Sequence, residues 1–225
     1  MKIEFHKDQG TGNDFVLLDN RTNKYDELSR KQITQMCNRR FGIGADGLML
    51  LNLKEGFDFE MKYYNANGAE GSLCGNGGRW MVKFGNRMGI HKSNYHFLAC
   101  DGEHEADIDI HGIIRLKMND VSNVESHFNY YILNTGSPHY VKHVKDLAEM
   151  DVVKGGKAIR YNKEFEEKGI NVNFVEILGT DKIFVRTYER GVEDETQRCG
   201  TGFQAAALVS DNNEMGFKHV RVKKN

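Results

Sequence analysis

The sequence predicts a mixed α/β (α+β) fold built from two similar halves, and three observations carry that reading. Short apolar runs of strand length alternate with segments of helical spacing along the chain. A Cys-Gly pair opens a helix-compatible segment twice, at Cys74-Gly75-Asn76-Gly77 and at Cys199-Gly200-Thr201-Gly202. A strand–turn–strand element precedes each pair at nearly the same distance, Cys74 lying 62 positions after Gly12 and Cys199 lying 63 after Gly136. Glu70 and Glu195 each stand four residues before their cysteine, so several matches fall at matching spacing. The halves are expected at 1–120, carrying Cys74, and 121–225, carrying Cys199, with the join in the polar stretch 120–126.

Taken in order, residues 3–6 read as a short strand and Gly10-Thr11-Gly12-Asn13-Asp14 as a polar turn. Phe15-Val16-Leu17-Leu18 is a buried strand, and Ser29 caps a helix carrying Ile33, Met36 and Cys37 at helical spacing. A glycine-rich turn over 41–47 leads into the apolar run Leu48-Met49-Leu50-Leu51. Residues 58–64 alternate as a strand, Asn65-Ala66-Asn67-Gly68 turns the chain, and a helix follows Cys74 through Met81, Val82 and Phe84. Strands are expected over 95–100, 104–110 and 113–118. The second half predicts a strand over 130–133, a turn over 135–139, a helix over 145–150 and strands over 171–177 and 182–188. A helix over 203–211 and a strand over 219–222 complete it. Only 26 positions follow Cys199, against 46 between Cys74 and Asp120, so the repeat predicts that the second half lacks its last two strands.

Composition narrows the function. With 31 basic and 32 acidic residues in 225, the chain has no electrostatic footprint for nucleic acid or an anionic membrane. No apolar run reaches the length of a membrane span, and the first residues lack a signal-peptide pattern. The four cysteines are scattered, with no Cys-x-x-Cys pair, which points to a reduced, cytoplasmic protein rather than a disulfide framework or zinc site. The spacing of His91, His96, His104 and His111 favours exposed or strand-end histidines over metal ligands.

The two Cys-Gly segments carry the chemistry. Glycines let backbone N–H groups approach an anion, and a helix start adds a positive dipole end that also favours a thiolate. For a lone Cys-Gly, a small buried cysteine beside a tight turn explains as much; the repetition favours a site. The N–H groups of Gly75, Asn76, Gly200 and Thr201 could hold a carboxylate while one thiolate takes the adjacent α-proton. A thiol on the opposite face could then return a proton, inverting the centre, with the same donors stabilising charge on the carboxylate. No Walker pattern or dinucleotide fingerprint is present, and nothing suggests a pyridoxal lysine.

At these residues the sequence resembles the diaminopimelate epimerases, pyridoxal-independent amino-acid racemases. The similar features are Gly10-Thr11-Gly12-Asn13-Asp14-Phe15, Gly42-Ile43-Gly44-Ala45-Asp46, Asn65-Ala66-Asn67-Gly68 and Cys74-Gly75-Asn76-Gly77. Pro138-His139, Asn171-Val172-Asn173-Phe174, Glu189-Arg190-Gly191 and Cys199-Gly200-Thr201-Gly202 follow in the expected order. The resemblance implies two pseudo-symmetric halves, each a mostly antiparallel or mixed sheet curled round a central helix. It implies interconversion of LL- and meso-diaminopimelate in lysine and peptidoglycan-precursor synthesis, without cofactor or metal. Cys74 and Cys199 become the acid/base pair, with His139 and Glu189 setting their protonation. Gly75, Asn76, Gly200 and Thr201 take the reacting carboxylate, while Asn13, Asn65, Asn171 and Arg190 read the rest of the substrate. Those residue types suit a far end that is itself an amino acid, since amides donate and accept and Arg190 can pair with a carboxylate. For each asparagine the alternative is a turn residue satisfying its own backbone. The partner is a small amino-acid substrate, and a homodimer is compatible.

Three departures from the family pattern stand out. Gly47 replaces a common substrate-facing glutamine and is assigned no contact. Ser137 stands before Pro138 where asparagine is usual, and Tyr140 follows His139 where cysteine is common, weakening one hydrogen bond to the substrate. The segment Val192-Glu193-Asp194-Glu195 is one residue longer than usual. The alternatives are a proline or hydroxyproline racemase, which would favour histidine where Asn76 stands, and an inactive amino-acid-binding protein of the same fold.

Overall fold

The computed structural model describes residues 2–10, 13–71, 75–196, 199–210 and 220–223. The chain divides into two compact units, residues 1–117 and 118–225. The first contains β1 (His6–Gly10), β2 (Asn13–Asp19), α1 (Arg30–Cys37), β3 (Gly47–Asn52), β4 (Phe59–Asn65), α2 (Gly75–Arg87), β5 (Asn94–Ala99), β6 (Gly102–Ile108) and β7 (Ile114–Leu116). Its strands lie in sequence order in one mixed sheet, parallel at β2–β3 and β4–β5 and antiparallel elsewhere. Helix α2 touches β1, β2, β3, β4, β6 and β7, so the sheet curls around it. All of β3 and the Phe15-Val16-Leu17-Leu18 run of β2 are buried because α1 covers the other face, packing Ile33 and Cys37 against Val16, Leu18, Leu48 and Leu50. A capping box starts α1, with Ser29 Oγ accepting from Gln32 N and Gln32 Oε1 accepting from Ser29 N.

The second unit contains β8 (Val124–Ser126), β9 (Tyr131–Asn134), β10 (Pro138–His143), α3 (Val152–Arg160), β11 (Asn171–Gly179), β12 (Lys182–Glu189), β13 (Asp194–Thr196), α4 (Gly200–Val209) and β14 (Arg221–Lys223). It repeats the pairing of the first. Strands β9 and β10 are antiparallel like β1 and β2, β10 and β11 are parallel like β2 and β3, and β11 and β12 are antiparallel like β3 and β4. Strand β14 runs parallel to β12 as β5 does to β4. The two glutamates before the cysteines also take equivalent places, Glu70 bridging Tyr64 and Glu195 opposite Tyr188. Helix α4 packs Ala205 and Ala206 against Leu133, Val141, Val175 and Val185 on one face of the sheet. Val152 of α3 packs against Tyr140, Val172, Phe174 and Tyr188 on the other.

Several expectations are corrected. The first strand runs from His6 to Gly10 rather than over 3–6. The turn expected over 135–139 ends early, because Pro138 and His139 already belong to β10. The helix expected over 145–150 is a single 3₁₀ turn at Leu147–Glu149, and the true helix is α3. Gly155 and Gly156 hide α3 from a propensity reading. Gly156 is there because a Cβ would lie 2.3 Å from Tyr188 Cβ, so the helix can reach the sheet only with glycine at that point. The short strands β8 and β13 were not expected; each exists only through an antiparallel partner, β9 or β12.

Candidate active site

In the second unit the candidate residues converge at the start of α4. Cys199 is its N-cap residue, 8% exposed, and the backbone N–H groups of Gly200 and Thr201 belong to the helix's first turn. Cys199 Sγ lies 3.4 Å from Thr201 Oγ1, and that hydroxyl lies 3.0 Å from His139 Nε2. His139 is fully buried on β10. Burial pushes its imidazole down to about 3, with the Arg190 charge acting in the same direction, so the ring is neutral at working pH.

The ring's other nitrogen meets a residue that the sequence reading quoted in a motif but gave no role. Asn173 Nδ2 lies 3.0 Å from His139 Nδ1 and donates to Tyr140 O at 3.1 Å, while Thr187 Oγ1 donates to Asn173 Oδ1 at 2.9 Å. Asn173 is fully buried, and Thr187 is directly opposite it on β12. A buried amide flanked by a histidine on the neighbouring strand is the signal that could have found it, but it needs the strand register. Thr135 Oγ1 donates to Thr201 O at 3.0 Å and ties the first turn of α4 to the end of β9.

Of the residues expected to read the far end of the substrate, Asn171 and Arg190 belong to this unit, and Asn171 lies opposite His139 across the β10–β11 pair. Asn171 Nδ2 donates to Ser137 Oγ at 2.8 Å and to Pro138 O at 3.1 Å, and its Oδ1 accepts from Arg190 N at 2.9 Å. Its amide therefore fastens the β10 and β12 ends together, with Ser137 as its side-chain partner, and does not close a turn on its own backbone. Arg190 Nη1 donates to Lys168 O at 3.1 Å, and its guanidinium pairs with no carboxylate among the described residues. Glu189 ends β12, with Oε2 accepting from Thr196 Oγ1 at 2.7 Å.

In the first unit, Cys74 lies outside the described residues, and Gly75 and Asn76 are buried in the first turn of α2. Asn76 Nδ2 donates to Asn13 Oδ1 at 2.9 Å, and Asn13 Nδ2 donates to Asp46 Oδ2 at 3.1 Å. Asp46 is held in turn by Arg39, whose guanidinium also takes both oxygens of Asp14. Burial alone would raise the Asp14 carboxyl, but Arg39, the Asp46 N–H and Lys7 outweigh it and hold it below the usual range. Asn65 heads its turn, with its backbone N–H donating to Ala69 O at 2.8 Å and its side-chain amide 3.5 Å from the same oxygen. At Gly47 a Cβ would lie 2.4 Å from Tyr63 Cε2, so the tyrosine ring occupies the space a larger residue would need.

A separate groove of about 820 Å³ in the first unit is lined by Asp58, Lys92, His96, Glu105 and Arg115, and none of the candidate residues borders it. Among the described residues no cluster of His, Cys, Asp and Glu could hold a metal ion, and no helix is long and apolar enough to cross a membrane.

Comparison with known proteins gives a consistent match. The family model for diaminopimelate epimerase matches residues 5–124 and 131–224. A diaminopimelate epimerase of Flavobacterium psychrophilum is 46% identical over 207 residues, covering 92% of this chain and 81% of that protein. One from Chlorobaculum tepidum is 45% identical over 208 residues, covering 89% and 80%. Among solved structures, a phenazine biosynthesis protein of the PhzF family from Bacillus anthracis aligns with a TM-score of 0.68 at 14% identity, over 98% of this chain and 84% of that one. A probable proline racemase from Agrobacterium radiobacter K84 aligns with a TM-score of 0.65 at 12% identity, over 98% and 80%. At those identities the two structures speak for the fold alone.

Proposed function

This chain belongs to the diaminopimelate epimerase family, and on that premise we propose how it interconverts LL- and meso-diaminopimelate. Cys74 and Cys199 are the acid/base pair. One, as thiolate, takes the α-proton, so that the C–H bond breaks and an S–H bond forms. The other, as thiol, gives its proton to the opposite face of the same carbon, and the centre inverts. The N–H groups of Gly75, Asn76, Gly200 and Thr201 receive the reacting carboxylate and stabilise the charge that builds on it. His139 and Glu189 set the thiol protonation, and Asn13, Asn65, Asn171 and Arg190 read the second amino-acid end. No cofactor or metal takes part. Lysine and peptidoglycan-precursor synthesis is the setting, the cytoplasm the compartment, and a homodimer the assembly to be tested.

The observation that supports this reading best is the buried contact of Cys199 Sγ with Thr201 at the start of α4. There a thiolate gains both the helix dipole and a hydroxyl donor. Arg190 adds a guanidinium without a carboxylate partner among the described residues, suited to the distal carboxylate. The test is solvent exchange. Diaminopimelate incubated with the protein in D₂O should gain deuterium at the α-carbon while epimerising, at a rate unchanged by EDTA. Binding without exchange, or loss of activity on chelation, would overturn the proposal.

A further inference from the structure

We propose that Asn173 is a positioning residue of this site: it holds His139 as the tautomer protonated on Nε2 and so makes the Thr201 hydroxyl a donor to Cys199 Sγ. The inference rests on the reading of Cys199 as an acid/base group, and its first test does not.

Tyr140 O can only accept, so the Asn173 atom 3.1 Å away is the NH₂ end of the amide. The same NH₂ faces His139 Nδ1 at 3.0 Å, and that nitrogen must therefore be the bare one. At the far end of the amide, Oδ1 accepts the Thr187 hydroxyl at 2.9 Å, which holds the orientation from a second side. A neutral imidazole with bare Nδ1 carries its proton on Nε2 and donates it to Thr201 Oγ1 at 3.0 Å. The Thr201 proton is then available for Cys199 Sγ, 3.4 Å away. Four hydrogen bonds thus run one way, from Thr187 through Asn173, His139 and Thr201 to the sulfur. Gly202 makes the approach possible: a Cβ there would lie 2.4 Å from Asn173 Oδ1 and 3.3 Å from Cys199 Sγ. A protonated ring would set an Nδ1–H against the Asn173 NH₂, so His139 orients and does not itself carry a proton in the reaction.

The test replaces the amide by its acid. Asn173→Asp keeps the shape but offers oxygens to Nδ1, which should draw a proton there and reverse the relay. In ¹⁵N-histidine spectra, with His139 assigned by its loss in His139→Gln, the unmodified protein should show the Nε2–H tautomer and Asn173→Asp should show Nδ1 protonated. Loss of a charge-assisted donor should lower kcat about tenfold, with KM within about threefold, and slow iodoacetamide alkylation of Cys199 at fixed pH about as much. An Nδ1–H tautomer in the unmodified protein, or Asn173→Asp with unchanged kcat, would overturn the inference. Should Asn173→Asp fail to fold, Thr201 decides: Thr201→Val should lose the same factor in kcat and Thr201→Ser should keep it. A Val variant with full activity would refute the relay. Absence of epimerisation in the unmodified protein would count against the proposed function instead, leaving the tautomer result to stand by itself.

Discussion

Acidification should weaken this protein through His139 in a way that can be isolated. The residue is buried and its folded-state value lies at about 3, against an ordinary value near 6.5 in the unfolded chain. Between these values the unfolded state binds a proton that the folded state does not, so stability is present above about pH 6.5 and is lost as pH falls. Linkage gives a loss of about 2 kcal/mol between pH 7 and pH 5 from this one residue, growing to about 4 kcal/mol by pH 3. His143, also pushed down by burial, contributes in the same sense. Urea unfolding of the unmodified protein and of His139→Gln at pH 7 and pH 5 separates the two. The His143 contribution cancels in the comparison, and the lower baseline of the variant does not matter, because the change with pH is what is read. The unmodified protein should lose about 2 kcal/mol more than the variant over that interval. Equal losses in the two proteins, or a His139 resonance titrating near pH 6.5, would refute the reasoning.

Three further outcomes are expected. Cys199→Ala and Cys74→Ala should abolish epimerisation with little loss of stability, whereas Cys37→Ala should keep activity. Burial raises the Cys37 thiol to about 11, so it stays protonated inside the α1 core, and its removal costs on the order of 1–2 kcal/mol by thermal melting; equal activity losses at Cys37 and Cys199 would sink the assignment. Arg190→Met should weaken substrate binding by about 2–5 kcal/mol and reduce the preference for diaminopimelate over amino acids lacking the second carboxylate; unchanged selectivity contradicts the role. Gly156→Ala should destabilise by about 1–3 kcal/mol because the new Cβ meets Tyr188 at 2.3 Å, and Gly155→Ala should cost less, since it meets the flexible end of Met150 at 2.9 Å. Denaturant midpoints in the opposite order would show that α3 does not approach the sheet at Gly156.

Much of the fold was legible because its signals are local. Ser29 and Gln32 form a capping box within four residues of chain, and Ile33 and Cys37 mark the buried face of α1 by spacing alone. The apolar runs of β2 and β3 need no partner to be recognised as buried strands. The Cys-Gly motif and its repeat, the matching glutamates included, predicted two halves of one design, and the pairing directions of the two sheets agree strand by strand. Cys199 at a helix start is likewise a short-range fact.

What tertiary structure decided is the set of features whose cause lies elsewhere in the chain. Helix α3 carries two glycines that argue against a helix, and its reason to form is the packing of Val152 and Gly156 on Tyr188 and its neighbours. Asn171 has its amide engaged by Ser137 and Pro138, while Asn173, given no role, joins Tyr140, His139 and Thr187. The two asparagines look alike as letters. An amide satisfies whichever donors and acceptors surround it, and those neighbours are set by the parallel register of β10 and β11 and by the antiparallel register of β11 and β12. Residue type and spacing determined where reactive groups could be; only the register, which joins residues tens of positions apart, decided which polar groups face one another.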